Sequence, residues 1–130
     1  MQSTVRKPIP SSIEPWLTVQ QGEKAVSFYK AAFGATESYR MEAPDGGLVV
    51  KLTVETASFW ISGDLNNDVI PAVSGIKIII TTTDPDKVFG QALIAGAAEV
   101  FPVGEDYGWR LGRITDPFGY DWEIGRPLDQ

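Results

Sequence analysis

The stretch Arg113-Ile-Thr-Asp-Pro-Phe-Gly-Tyr-Asp-Trp-Glu-Ile-Gly125 is the most strongly specified part of this chain. Its segment 116–119 predicts a tight turn, because the proline has a fixed φ suited to the first corner and the glycine tolerates a positive φ. Aromatic and β-branched residues follow and predict a strand from Tyr120 to Ile124. Alternation places Glu123 on one face of that strand and Trp122 on the other. A carboxylate at such a position predicts a partner elsewhere in the chain.

The composition is that of one ordinary globular domain. The chain has 130 residues, of which 43% are hydrophobic and 22% are charged, and this balance fits a single folded domain. The net charge of −6 argues against nucleic acid and anionic membrane surfaces as partners, since both attract basic faces. No apolar run is long enough to span a membrane, and prolines and serines follow Lys7 where a signal peptide would have its apolar core. We therefore expect a cytoplasmic protein.

Two residue types are missing, and their absence limits the chemistry. The chain has no cysteine, which excludes disulfides, thiolate nucleophiles and thiolate metal sites. It also has no histidine, which removes the commonest general base and the commonest ligand for transition metals. Side-chain chemistry would therefore depend on carboxylates, lysine or tyrosine.

The hydrophobic pattern along the chain predicts one βαβββ unit that occurs twice. Gly34-Ala35, at the end of the first predicted helix, recurs as Gly96-Ala97 at the end of the second. The first unit is predicted as a strand 13–19, a helix 23–33 and strands 35–42, 48–54 and 58–62, and the second as a strand 76–82, a helix 85–95 and strands 97–103, 109–115 and 120–124. In terms of domains, we expect a flexible arm (1–12) and a single domain (13–130), which comprises module one (13–62), a polar linker (63–74) and module two (75–126).

Three motifs, taken together, resemble the vicinal oxygen chelate superfamily, which includes glyoxalase I, extradiol dioxygenases and bleomycin-resistance proteins. They are the strand 15–19 (PWLTV), the helix 25–34 (AVSFYKAAFG) and the turn with its following strand, 115–123 (TDPFGYDWE). The chain looks most similar to the small, PhnB-like and glyoxalase-like branch. The resemblance implies an α+β fold with two tandem βαβββ modules, which form a curled mixed sheet around a cleft and are usually completed in a homodimer.

The resemblance also implies four positions where active members of the superfamily hold a metal ion. Carried over residue by residue, these positions are Glu14, Trp60, Lys77 and Glu123. Trp60 has no group that ligates a metal, and Lys77 brings a positive charge to the place of the ion. We therefore predict no metal and no cofactor. As a hypothesis, the Lys77 ammonium replaces the metal and balances Glu14 and Glu123.

The candidate ligand-binding cleft comprises six residues, and each also has an ordinary structural interpretation. The glutamates could lie on a solvent-facing strand, Lys77 could extend from a strand end, and the tryptophans could belong to the core or to a dimer interface. The loop 105–110 is either an exposed turn or the rim of the cleft. The six residues are Glu14, Trp16, Trp60, Lys77, Trp109 and Glu123.

Three functions follow from these residues. The first is a metal-free protein that binds or sequesters a small cationic or aromatic molecule in an aromatic and acidic cleft, as the resemblance to bleomycin-resistance proteins implies. The second is a lyase or isomerase that uses an oxygen-ligated divalent metal or a carboxylate base. The third is a non-binding fold that acts through its dimer surface, with the cleft filled by its own side chains. We rank them in this order.

Overall fold

A computed structural model describes residues 8–44, 46–63 and 76–128 of the chain. Within these ranges the elements follow the order βαβββ twice, as the sequence repeat predicts. The elements are β1 (Trp16–Val19), α1 (Gly22–Phe33), β2 (Thr36–Glu42), β3 (Leu48–Val54), β4 (Ala57–Gly63), β5 (Ile78–Thr81), α2 (Pro85–Ala95), β6 (Ala98–Asp106), β7 (Trp109–Thr115) and β8 (Asp121–Pro127).

The two modules have the same sheet topology, which confirms the α+β fold class. The first sheet has the strand order β1-β4-β3-β2 and the second β5-β8-β7-β6. In each sheet the first strand of the module pairs in parallel with the last, and the remaining pairs are antiparallel. The sheets are therefore mixed; α1 packs against β3 and β4, and α2 packs against β6, β7 and β8.

Both helices end where the local sequence dictates. Gly34 follows α1 with a left-handed φ of 69°, and its N–H donates to the Lys30 carbonyl, a geometry that glycine adopts without steric cost. At the start of α2 the Asp84 side chain accepts a hydrogen bond from the Lys87 N–H at 3.2 Å, and Pro85 occupies the first turn, where no N–H is needed. Neither described helix is long or apolar enough to cross a membrane.

A single apolar core joins the two modules. Trp122 of β8 is 1% exposed, and its ring lies 4.8 Å from that of Phe33 in α1 and 5.4 Å from that of Phe59 in β4. Each buried aromatic side chain of this kind contributes roughly 1.5–3 kcal/mol through removal of apolar surface from water. Alternation predicts that Trp122 lies on the face of its strand opposite to Glu123, and the structure confirms that this face belongs to the core.

The turn predicted at 116–119 is present, and its aspartate has a role that the sequence did not reveal. Gly119 donates to the Asp116 carbonyl at 3.1 Å with a φ of 95°. Asp116 is only 3% exposed, and its carboxylate connects the turn to the core of both modules. It accepts hydrogen bonds from the Tyr29 hydroxyl, the Trp122 indole N–H and the backbone N–H groups of Phe118 and Tyr120.

Several predicted strand limits were wrong. β1 begins at Trp16 and not at Ile13, because Pro15 has no N–H to donate and Ile13 is 99% exposed. β5 begins at Ile78, so Lys77 lies just ahead of the strand. β6 continues to Asp106 because the hairpin to β7 is tighter than the loop predicted for 105–110. Residues 1–7 of the predicted arm and 64–75, which include most of the predicted linker, lie outside the described residues.

Candidate functional site

Each sheet packs one face against the helices, and we call the opposite one its open face. In β1, Leu17 and Val19 are buried, whereas Trp16 lies on the opposite face of the strand and is 53% exposed. In β8, Trp122 and Ile124 are buried, and the intervening Glu123 lies on the open face. The alternation predicted for both strands is therefore confirmed, and the candidate residues Trp16 and Glu123 lie on open faces.

A row of aromatic and basic side chains crosses the open face of module one. Backbone register aligns Trp16, Trp60, Lys51 and Tyr39 on β1, β4, β3 and β2. The rings of Trp16 and Trp60 stack with centroids 5.9 Å apart, and the Lys51 ammonium lies 5.4 Å from the centre of the Trp60 ring. These contacts place bulky side chains along the whole row.

Glu14 has its partners within module one. Its Oε1 accepts a hydrogen bond from the Trp60 indole N–H at 2.9 Å, and its Oε2 lies 3.5 Å from the Lys51 ammonium. Lys51 is therefore the cation that balances Glu14, and Lys77 is not. Lys51 precedes Arg113 by the same repeat offset that relates the helix ends, so the repeat indicates that these two cations occupy equivalent strand positions, but it does not indicate the partner of either.

The corresponding row in module two contains the better-buried carboxylate. Ile79, Glu123, Arg113 and Phe101 are aligned on β5, β8, β7 and β6. Glu123 Oε1 accepts hydrogen bonds from Lys77 Nζ at 3.0 Å and from an Arg113 Nη at 3.1 Å. Burial alone would raise the pKa of the Glu123 carboxyl, but these two cations outweigh burial and hold the pKa below its usual value. Glu123 is therefore ionised at neutral pH.

Two adjoining cavities lie on the open face of module two, and we call them together the module-two hollow. The first has a volume of about 270 Å³ and the second about 380 Å³, and they share Leu111 and Glu123. Backbone register aligns Gly104, Leu111 and Gly125 across β6, β7 and β8. An added Cβ at Gly104 meets no atom within 4 Å, so this glycine leaves space beside the leucine, whereas a Cβ at Gly125 would lie 2.7 Å from the Leu111 Cβ, so Gly125 permits the close approach of β8 to β7. The first cavity is lined by Ile79, Trp109, Leu111, Glu123 and Gly125, and the second by Phe101, Pro102, Gly104, Glu105, Asp106, Tyr107, Leu111 and Glu123.

The structure places the six predicted cleft residues in two groups. Glu14, Trp16 and Trp60 lie together in module one, whereas Lys77, Trp109 and Glu123 are gathered around the module-two hollow. A further cavity of about 510 Å³ lies between the modules, and Glu14 and Ile79 both line it. Of the six predicted residues, Glu14 is the one that lines this cavity, so it does not join the two groups.

Sequence reasoning did not identify the residues that shape the hollow. Leu111, Gly104 and Gly125 carry no distinctive functional group, and their importance follows only from their alignment across three strands. The loop 105–110, for which a turn and a cleft rim were both considered, has both properties. Tyr107 and Gly108 form a two-residue turn, and residues 105–107 line the hollow.

The residues at the four family positions do not fit a metal ion. Trp60 and Lys77 act as hydrogen-bond donors to Glu14 and Glu123, so both positions present N–H groups where an ion requires lone pairs. Within residues 8–44, 46–63 and 76–128, no group of three or more acidic side chains could hold a metal. Glu14 and Glu123 are each balanced by a cation of their own module.

A larger groove of about 640 Å³ lies on the helix side of the molecule, beside α1 and the 116–119 turn. Its floor includes Phe28 and Phe118, and its charged residues Glu23 and Lys24 are exposed on the helix surface. This groove has no half-buried charged group comparable to Glu123. We therefore regard the module-two hollow as the candidate site.

Comparison with known proteins agrees with the fold and with the arrangement of the modules. The family model for the Glyoxalase/Bleomycin resistance protein/Dioxygenase superfamily matches residues 11–124. The chain belongs to this superfamily. The resemblance inferred from the three motifs is thus confirmed, whereas the PhnB-like branch stays a prediction.

Individual relatives place the chain within a broad superfamily. The uncharacterized protein Rv0887c of Mycobacterium tuberculosis is 34% identical, and the alignment covers 92% of this chain and 76% of that protein. Among solved structures, TioX from Micromonospora sp. ML1 has a TM-score of 0.73 at 22% identity and covers 92% of this chain and 100% of TioX. Glyoxalase I from Zea mays has a TM-score of 0.78 at 16% identity over 90% of this chain and 44% of that chain. At these identities the structural likeness shows the fold alone.

Proposed function

We propose that this glyoxalase-like protein binds a small planar molecule in the module-two hollow without a metal ion. One observation carries the proposal: two adjoining cavities with apolar walls share a half-buried, ionised carboxylate, Glu123. Sites for small molecules typically combine mostly apolar walls with a few fixed polar groups. Trp109 and Leu111 supply the walls of the first cavity, and Glu123 supplies a fixed hydrogen-bond acceptor.

The lining indicates the class of ligand. Gly104 leaves its side of the hollow open beside Leu111, and the aromatic side chain of Trp109 in the adjoining cavity favours a flat molecule. The charged residues that line the two cavities are Glu123, Glu105 and Asp106, and all three are acidic. A ligand with N–H donors, either neutral or cationic, complements this surface. Because Lys77 and Arg113 already balance Glu123, the donors matter more than a net positive charge.

We propose that the ligand site is completed in a homodimer. Trp16, Tyr39 and Met41 on the open face of module one are about half exposed, and exposed apolar side chains of this size are typical of interfaces. Sedimentation equilibrium tests the proposal, with Trp16→Glu expected to shift a dimer to the monomer. A wild-type chain that sediments as a monomer at all concentrations would contradict it. The predicted cytoplasmic location stays a prediction.

The second candidate is an enzyme of the lyase or isomerase type, which the family allows. Glu123 would act as the base, but the two cations at its Oε1 lower its pKa and weaken it in that role. The metal-dependent form is tested by thermal melts in Ni²⁺, Zn²⁺, Mn²⁺ and Mg²⁺ against EDTA, because a bound ion raises the melting temperature by mass action. We expect no shift, and a clear shift with one ion would favour the enzyme.

The binding proposal is tested by filling the hollow from within. An added Cβ at Gly104 meets no atom within 4 Å, so Gly104→Leu introduces a side chain beside Leu111 with no clash at its Cβ. Proflavine, a planar cation with two amino groups, serves as the probe, and its fluorescence is titrated with protein. We expect the wild-type chain to bind proflavine and Gly104→Leu to weaken binding at least tenfold.

The matched control is the same substitution on α2. An added Cβ at Gly90 also meets no atom within 4 Å, and Gly90 lines neither cavity of the hollow. Gly90→Leu should therefore bind proflavine as the wild-type chain does. Equal binding by Gly104→Leu and the wild-type chain would place the probe outside the hollow and overturn the proposal.

A further inference from the structure

The tip of the β6–β7 hairpin carries an aromatic residue in an unfavourable backbone conformation. Asp106 pairs with Trp109, so Tyr107 and Gly108 form a two-residue turn, and their φ angles are 51° and 79°. Two positive φ values define the type I′ turn, in which the first position strongly favours asparagine, aspartate or glycine. A tyrosine there adopts a conformation that bulky side chains rarely occupy. Local stability therefore does not explain the choice of this residue.

Packing does not explain Tyr107 either. Its side chain is 92% exposed, so its ring gains almost nothing from burial in the isolated chain. It nevertheless lines the module-two hollow, in the same cavity as Phe101, Gly104 and Leu111. An exposed ring in a strained turn at the mouth of a cavity is typical of a residue kept for contact with a ligand.

The hairpin is held in place on both sides of its tip. The Arg110 guanidinium makes two hydrogen bonds to the Asp86 carboxylate of α2, at 2.7 and 2.6 Å. The Leu128 N–H donates to the Gly108 carbonyl at 2.8 Å. These contacts fix the backbone of the turn relative to the sheet, so position 107 stays at the mouth of the hollow.

We propose that Tyr107 covers the bound ligand and selects planar molecules by packing its ring against them. The inference rests on the proposed function and adds to it a residue that determines specificity. Leu111 contacts one side of the ligand from the sheet, and the tyrosine ring contacts the other from the hairpin tip. The contact depends on the ring and not on the hydroxyl group.

The test separates binding from stability, because the proposal predicts opposite effects on the two. Tyr107→Asn places the preferred residue at the first position of the turn, so the melting temperature should rise or stay the same. The dissociation constant for proflavine should increase about three- to tenfold, the range expected for loss of one aromatic contact. Tyr107→Phe keeps the ring and should bind within about twofold of the wild-type chain.

The outcomes distinguish this inference from the proposed function. Unchanged proflavine affinity in Tyr107→Asn, while Gly104→Leu loses binding, would overturn the role of Tyr107 and leave the hollow as the site. Equal binding by Gly104→Leu and the wild-type chain would overturn the hollow itself, and so would a wild-type chain that does not bind proflavine. A loss of affinity in Tyr107→Phe equal to that in Tyr107→Asn would show that the hydroxyl and not the ring makes the contact.

Discussion

Module one and module two have the same strand order, but their open faces are filled in opposite ways. On the open face of module one, the row beside the one that contains Trp60 includes Met41 and Ser62. The equivalent positions of module two, 63 residues later in the sequence, are Gly104 and Gly125. The Met41 side chain therefore occupies in module one the position that Gly104 leaves open in module two, whereas Gly125 packs against Leu111 with no room for a Cβ. The repeat conserves the backbone, while the choice of a few side chains decides which face has a cavity.

The charged residues show the same division between the modules. Glu14 in module one and Lys77 in module two lie 63 positions apart in the sequence and have opposite charges. Glu14 accepts a hydrogen bond from Trp60 on β4, and Lys77 donates one to Glu123 on β8. Module one thus holds its carboxylate with an indole N–H and one cation, and module two holds its carboxylate with two cations. The comparison predicts that equivalent substitutions have unequal effects.

The largest effect is expected at Asp116, where module two closes its last hairpin. Asp116→Ala leaves four donors without their acceptor in a buried place, and we expect a loss of about 3–5 kcal/mol in the free energy of unfolding. Burial and the nearby Asp116 carboxylate raise the pKa of Tyr29 far above its usual value, so the phenol keeps its proton and donates. Urea denaturation measures the loss.

The control for this prediction is the matching hairpin of module one. There, Glu55 and Thr56 form a two-residue turn between β3 and β4, and Glu55 has a φ of 53°. Glu55→Gly relieves a positive φ and should change stability by less than about 1 kcal/mol. If Asp116→Ala and Glu55→Gly had effects of similar size, the buried aspartate would not be the residue that connects the modules.

The next effect compares Glu123 with Glu14. Glu123→Gln leaves Lys77 and Arg113 without their anion, and we expect a loss of about 2 kcal/mol at pH 7. Glu14→Gln still accepts from Trp60 and should cost about 0.5 kcal/mol. Urea denaturation of both variants measures the difference. Equal losses would contradict the stronger pairing of Glu123, which has two cations at 3.0 and 3.1 Å, whereas Glu14 has one at 3.5 Å.

The pH dependence of the Glu123 contribution gives a second check. Because the folded state lowers the pKa of Glu123, its stabilisation is fully present above the unfolded pKa, which is about 4.3. It is lost as the pH falls through the lower folded value. The difference in stability between the wild-type chain and Glu123→Gln should therefore shrink below about pH 4. A difference that stayed constant down to pH 2 would contradict the ion pairs.

The fold could be predicted from the sequence because its signals are local and repeated. The turn at 116–119, the glycine after each helix and the alternation in β3 and β7 each specify their own element, and the limits of β3 and β7 were predicted correctly. Besides the C-terminal end of β6, where the pairing with β7 is irregular, the larger errors fell at β1 and β5, the short parallel strands at the start of each module. Their hydrogen-bond partners are the distant strands β4 and β8, so the sequence near them does not reveal where pairing begins.

The candidate site was less predictable because its shape depends on residues that are brought together across strands. Glu123 and its ion pair with Lys77 followed from the family positions. The pairing of Glu14 with Lys51 required the register between β3 and β4, which the sequence alone did not give. The space beside Leu111 comes from Gly104, and an absent side chain has no pattern that a single sequence displays.

The smallest predicted effect tests whether Lys77 replaces a metal cation at Glu123. Lys77→Met removes one of two cations at Glu123 Oε1, and the Lys77 side chain is 38% exposed, so we expect a loss of about 0.5 kcal/mol. The pKa of Glu123 should rise toward its usual value because Arg113 alone remains. Lys51→Met is the matched change in module one and should leave the pKa of Glu123 unchanged, since Lys51 lies beside Glu14.

Carboxyl chemical shifts followed by NMR titration measure the pKa of Glu123 in both variants. A Lys77→Met protein with full stability and an unshifted Glu123 would assign the balance of that carboxylate to Arg113 alone, and the positive charge at position 77 would then have no role in the site.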